Sequence, residues 1–211
     1  MNKQGSILFD LDGVLWDTID SCVKSLADIK NKYDDIKYNI TSDTVKRLMG
    51  KSFDDIKVVY YGYLSEEKQN KYAKEAFNHN IDNLLKNGGN LYPDMIETIK
   101  ELSKKYKLYI VSNCIEGYIE SFLRTSGLHN YFEDYECSGK TKLTKGENIK
   151  LVMKRNNIDK NAYYVGDTIS DKEAADFANI PFIYASYGFG NVEKYDFRVN
   201  SIEDILNINN L

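Results

Sequence analysis

The chain has 211 residues, 42% of them hydrophobic and 28% charged, a balance that excludes a disordered polypeptide and supports one ample domain or a core domain carrying an insertion. Its formal net charge of -4 excludes the basic footprint of a nucleic-acid binder, and lysine-rich runs such as 100–105 are matched by acids and read as solvated helix faces. Cys22, Cys114 and Cys137 are odd in number and widely spaced, which points away from a disulfide framework or zinc site and toward a reduced cytoplasm. No stretch approaches the roughly 18 apolar residues of a membrane span, and no secretory leader is expected at the N-terminus.

In chain order, the first element is an apolar run, Ile7-Leu8-Phe9, that stops at Asp10-Leu11-Asp12-Gly13. A short apolar run ended by Asp and Gly predicts a buried strand reaching a polar turn. Two carboxylates at one opening repel each other unless a cation lies between them. From Ile19 to Leu85 the pattern is helical: Val23, Leu26, Ile29 and Tyr33 share one spacing, as do Val45, Leu48 and Met49. Ser65-Glu66-Glu67 predicts a further helix start, with Tyr72, Ala76, Phe77 and Ile81 along one side, and 87–90 predicts a loop.

Beyond the loop, helices and strands alternate. Helices are predicted over 94–105, 117–126 and 147–156 and through Ala174, Ala175 and Phe177. Strands are predicted over 108–111, near Tyr135, over 162–165 and over 181–184. Strands apolar throughout, alternating with helices, imply a parallel sheet covered on both faces. The expected fold class is α/β, a doubly wound, Rossmann-like parallel sheet with an inserted all-helical unit. The expected division is a core of residues 1–17 and 88–211 and a helical block of residues 18–87.

In such sheets the site lies at the carboxyl ends of the strands. There the runs deliver Asp10-Leu11-Asp12, Ser112-Asn113 and Gly166-Asp167-Thr168-Ile169-Ser170-Asp171. Distant parts of the sequence thus bring small polar and acidic residues to one edge, which favours an oxygen-ligand site for a hard cation such as Mg2+ over ordinary turn aspartates.

Together with a lysine before a helix, these residues resemble the four motifs of the haloacid dehalogenase (HAD) superfamily, in the right order and over nearly the whole chain. The helical block after the first motif, and Tyr92-Pro93-Asp94 at its return, resemble the C1-capped branch of phosphoglycolate phosphatases and β-phosphoglucomutases. The resemblance implies a Mg2+-dependent phosphatase, phosphoglycolate phosphatase-like, acting on a small phosphorylated metabolite, with no nucleic-acid or membrane partner. It implies Asp10 as nucleophile and Asp12 as acid and base. Asp10, the Asp12 carbonyl and Asp167 would hold the metal, with support from Asp171. Ser112 and the Asn113 N–H would bind phosphoryl oxygens.

For the lysine, Lys145 at a helix start is favoured over Lys142 and Lys140; the Lys-Pro pair usual in this branch is missing. Gly50 and Lys51 stand where the branch places a substrate-reading loop, and a glycine ending a helix explains them equally well. Tyr60, Tyr61 and Tyr63 read as core aromatics, His79 and His129 as surface residues, and Cys114 as a small buried hydrophobe. Asp17 and Thr18 are expected to mark the hinge into the insertion.

The alternatives are a sugar-phosphate mutase and a phospho-accepting signalling module. Against the first, Cys22 and Phe53 stand where β-phosphoglucomutases carry a histidine and an arginine. Against the second stand the Asp-x-Asp spacing and the helical block. Metal-free dehalogenation is disfavoured by Asp12, Asp167 and Asp171.

Overall fold

The structure is a computed structural model and describes residues 3–159 and 161–208, so the outer ends of the expected core range, residues 1 and 211, lie outside it. Strand β1 (Gly5–Phe9) is followed by the two-residue β2 (Trp16–Asp17). Four helices come next: α1 (Ile19–Lys32), α2 (Ser42–Lys46), α3 (Phe53–Tyr61) and α4 (Glu66–Asn87). The chain returns through β3 (Asn90–Leu91), which pairs antiparallel with β2, so the strands entering and leaving the helical block form one small ribbon. Only Gly88 and Gly89 remain of the predicted loop.

The remainder alternates as expected: α5 (Met95–Lys105), β4 (Tyr106–Ser112), α6 (Tyr118–Ser126), β5 (Asp134–Cys137), the single turn α7 (Ser138–Thr141), α8 (Lys145–Arg155), β6 (Ala162–Gly166), α9 (Ile169–Ala178), β7 (Phe182–Ala185) and β8 (Phe197–Val199). Six strands form one parallel sheet in the order β5-β4-β1-β6-β7-β8. β1 lies between β4 and β6, at the point where the strand order reverses, which is where an open α/β sheet leaves a crevice.

Side-chain alternation divides the core. Ile7 and Phe9 of β1, with Leu108 and Ile110 of β4, pack on one face beneath Ile99 and Phe122; Leu8, Tyr109 and Tyr164 pack on the other with Ile149 and Ala175. The helical block has its own core, in which Leu26, Ile29, Val45, Tyr61 and Tyr72 meet. Tyr60 and Tyr61 are buried there as expected, whereas Tyr63 is 51% exposed and its hydroxyl accepts the Lys37 N–H. Among the described residues no helix is long and apolar enough to cross a membrane.

Candidate active site

The carboxyl end of β1 is pinned where Asp10 donates its N–H to the Val165 carbonyl (2.8 Å), and the chain then turns sharply through Leu11 to Gly13. Gly13 sits at φ +81°, a left-handed conformation that disfavours any side chain, and a Cβ there would run into the Asp167 carboxylate. Gly13→Ala is therefore expected to destabilise the protein by about 2 kcal/mol or more, read as a lowered denaturation midpoint with an unchanged slope.

The turn sets Asp10 beside the ends of β4 and β6. Carboxylate oxygens of Asp10, Asp167 and Asp171 lie within 4.8 Å of one another, all three residues buried. The Lys145 ammonium reaches in from the first turn of α8, 3.0 Å from Asp10 Oδ2 and 2.6 Å from Asp171 Oδ1. Its placement is local chemistry. Thr144 caps α8 and exchanges hydrogen bonds with Glu147, so the helix begins at Lys145, two residues before the predicted start. Asp171 is held likewise at the start of α9, where its Oδ2 accepts the Thr168 N–H (2.9 Å) and hydroxyl (2.6 Å).

One lysine does not neutralise three buried carboxylates. Burial pushes Asp10 up to about 7, with the Asp171 charge adding to the shift and Lys145 opposing it. Burial raises Asp167 well above the usual carboxylate range, reinforced by Asp171 and Asp10. Burial alone would lower Lys145, yet Asp10 and Asp171 hold its ammonium above the ordinary lysine value. Asp167 Oδ2 accepts the Phe189 N–H (2.6 Å), while Asp167 Oδ1 and Asp10 Oδ1 are buried with no hydrogen-bond partner among the described residues. Two unpaired carboxylate oxygens in a crowded acidic cluster fit a small hard cation with oxygen ligands.

Asp12 faces a different environment. Its Oδ1 accepts the Thr18 hydroxyl (2.8 Å) and the Tyr118 hydroxyl (2.9 Å). Burial raises it to about 6, an effect these hydrogen bonds partly offset. Thr18 lies beside the ribbon into the helical block, so Asp12 is tethered to the chain where the insertion begins.

Ser112 is buried at the end of β4. The Asn113 carboxamide accepts the Ser138 hydroxyl (2.9 Å) and donates to the Gly50 carbonyl (2.9 Å), linking the β4 end to the helical block. Gly50 has φ +77° in the turn after α2, three residues beyond the helix's C-cap Arg47 rather than ending the helix itself, and it faces the Thr168 side chain. Lys51 is exposed at the junction of two cavities. The smaller, of about 100 Å³, is lined by Asp10 and Asp12; a cleft of about 880 Å³ runs along Lys145 and Thr168.

Of the three candidate lysines, only Lys145 reaches the acidic cluster. Lys142 donates to the Gly139 carbonyl from an exposed position, and Lys140 lies 3.9 Å from Glu136. His129 is exposed, His79 lies 3.7 Å from Asp28 on the helical block, and Cys114 is partly buried beside Ser112. Sequence reasoning missed Tyr118, which reaches Asp12 across 106 positions, and Phe189, whose N–H meets Asp167. It could have found Thr168, because Thr168-Ile169-Ser170-Asp171 has the spacing of a helix cap.

With this geometry in place, comparison with known proteins gives the class. The family model described as haloacid dehalogenase-like hydrolase matches residues 7–185, and the chain belongs to that family. It is accordingly an enzyme, a hydrolase. No curated protein sequence matches it.

Among solved structures, it is similar to a predicted phosphoglycolate phosphatase from Haemophilus somnus, with a TM-score of 0.86, 21% identity and 98% of each chain covered. It is also similar to a predicted phosphatase from Clostridium acetobutylicum, with a TM-score of 0.78, 25% identity, and 98% of this chain and 100% of that one covered. A β-phosphoglucomutase from Clostridium difficile superimposes with a TM-score of 0.76 at 22% identity, over 95% of this chain and 92% of that one.

Proposed function

We propose that this hydrolase is a Mg2+-dependent phosphatase that cleaves a small phosphomonoester through a phosphorylated Asp10, with the block of residues 18–87 serving as the cap over the site. The observation that carries this reading is the Asp10 carboxylate. It is buried, carries one oxygen without a partner among the described residues, lies 3.0 Å from Lys145 and within 4.8 Å of the Asp167 and Asp171 carboxylates, and lines the cavity that Asp12 also lines.

Asp10 attacks phosphorus, and the ester bond breaks as the leaving oxygen takes a proton from Asp12. In the second step Asp12 removes a proton from water, which displaces phosphate and restores Asp10. Ser112 and the Asn113 N–H hold phosphoryl oxygens, and the Lys145 ammonium balances charge on the phosphate and on Asp10. Asp10, Asp167 and the Asp12 carbonyl would hold Mg2+, with Asp171 behind them fixing Lys145. The ion supplies the positive charge that lets an anion approach an anion.

A value near 6 for Asp12 suits a group that must give up and regain a proton around neutrality. Tyr118→Phe removes one hydrogen bond from Asp12 and leaves Thr18 in place. The expected result is about a tenfold fall in kcat with a near-normal melting temperature. Loss of folding, or wild-type kcat, would count against that positioning role.

Phosphate release from small phosphomonoesters in Mg2+, and its loss on chelation with EDTA, tests the proposal. Activity undiminished by EDTA contradicts it. The raised carboxylates give a second readout. In metal-free protein a raised carboxylate favours the fold at pH below its ordinary value, about 4, and that stability is lost as the pH climbs through the folded values, about 7 for Asp10. Mg2+ binds the deprotonated cluster, so its gain in Tm grows over the same window. Melting curves are expected to show a larger Mg2+ shift at about pH 8 than at about pH 5; equal shifts would speak against binding at this cluster.

A further inference from the structure

We infer that the alcohol portion of the substrate is compact, uncharged and largely apolar. This rests on the phosphatase reading above. Asp12, the proposed proton donor to the leaving oxygen, lines the cavity of about 100 Å³, whereas neither Asp10 nor Asp12 lines the larger cleft, so the leaving group belongs in the smaller space. Its walls include Leu26, Val45 and Leu48 from the cap, Phe53 and Phe77 with their rings 5.0 Å apart, and Ile115 from the core. Pockets that take drug-sized ligands run to about 300–1,000 Å³, so a space of about 100 Å³ admits only a small group.

Several polar side chains that line it are already engaged by their neighbours, whereas the buried Tyr60 hydroxyl has no hydrogen-bond partner among the described residues. Asn80 accepts from Ser21 (2.6 Å) and donates to Cys22 Sγ (3.3 Å), and Ser25 accepts from Asn83 (3.0 Å). The Tyr118 hydroxyl is engaged by Asp12 and Thr18. A polyol placed here would meet one unengaged hydroxyl, that of Tyr60, and would otherwise exchange its water hydrogen bonds for apolar walls. Among the described residues, the only cation lining the cavity is Lys51, which is exposed at its mouth; Lys145 faces the phosphate side and the larger cleft. A carboxylate on the leaving group would be stripped of water beside Asp12 with no buried cation to meet it.

The test compares isobutyl phosphate, phosphoglycolate and glycerol 1-phosphate by phosphate release in Mg2+. The first two place the same number of non-hydrogen atoms, branched at the same position, beyond the ester oxygen, so charge separates them rather than size. The expected kcat/KM for isobutyl phosphate is at least tenfold above that of either other ester. Equal or higher kcat/KM for phosphoglycolate or glycerol 1-phosphate overturns this inference and leaves the phosphatase reading standing. No release from any of the three overturns both. Phe53→Arg, which adds a cation to the wall, is expected to narrow the isobutyl-to-glycolate ratio at least threefold; an unmoved ratio removes that wall as the source of selectivity.

Discussion

Replacing Asp10 by asparagine is expected to lower Mg2+-dependent phosphate release by at least about a thousandfold while leaving the protein folded. The size follows from the role proposed for the group. A carboxamide of the same shape keeps the packing at the end of β1, but it is a poor nucleophile and a neutral metal ligand. The fold should tolerate the change because Asp10 is already costly in its site: burial and Asp171 push its carboxyl up to about 7. Lys145 retains Asp171 at 2.6 Å, so its charge stays paired. The melting temperature of the metal-free variant is therefore expected within a few degrees of wild type, and the Mg2+-dependent rise should shrink. Near-wild-type turnover, or an unfolded variant, would contradict this account of the residue.

Lys145→Met is expected to have the opposite signature, losing both activity and stability. The lysine is only 3% exposed and bridges Asp10 and Asp171, while the Asp167 carboxylate lies in the same cluster. Removing it leaves buried carboxylates with no counter-charge, and breaking a buried pair from one side typically costs about 3–5 kcal/mol. Part of that loss is relieved as the carboxylates take up protons, so the variant should be closest to wild type in stability at low pH and furthest above neutrality. Chemical denaturation at two pH values checks the sign. Turnover should fall by about a hundredfold or more, because the phosphate loses the buried Lys145 ammonium. A variant as stable as wild type at about pH 8 would show that the bridge is energetically idle.

Much of this was legible in the sequence for a physical reason. Parallel strands buried on both faces read as unbroken apolar runs, so the carboxyl ends of β1, β4 and β6 are marked by the first polar residue that follows: Asp10, Ser112 and Asp167. β8 escaped notice because it is three residues long at the sheet edge, with Arg198 exposed, and shows no such run. Helix starts shifted where caps went unread, as with Thr144 ahead of α8 and its partner Glu147 in the helix's first turn.

The choice among Lys140, Lys142 and Lys145 was open in sequence because all three lie in one short polar stretch. It is decided by helix phase, since Thr144 ends the loop and turns the next side chain toward Asp10 and Asp171. Tyr118 was invisible for another reason. Its hydroxyl meets Asp12 only once α6 has packed near the turn after β1, and no local pattern announces a contact of that range.

In the proposed mechanism Asp10 carries the phosphoryl group between the two steps. Acid-quenched mixtures of enzyme, Mg2+ and a hydrolysed phosphomonoester, digested and weighed by mass spectrometry, address it directly. One phosphoryl group is expected on the peptide that contains Asp10, and none on the Asp10→Asn protein. Phosphate release with no phosphorylated peptide in rapidly quenched samples, or a phosphoryl group on another residue, would contradict it.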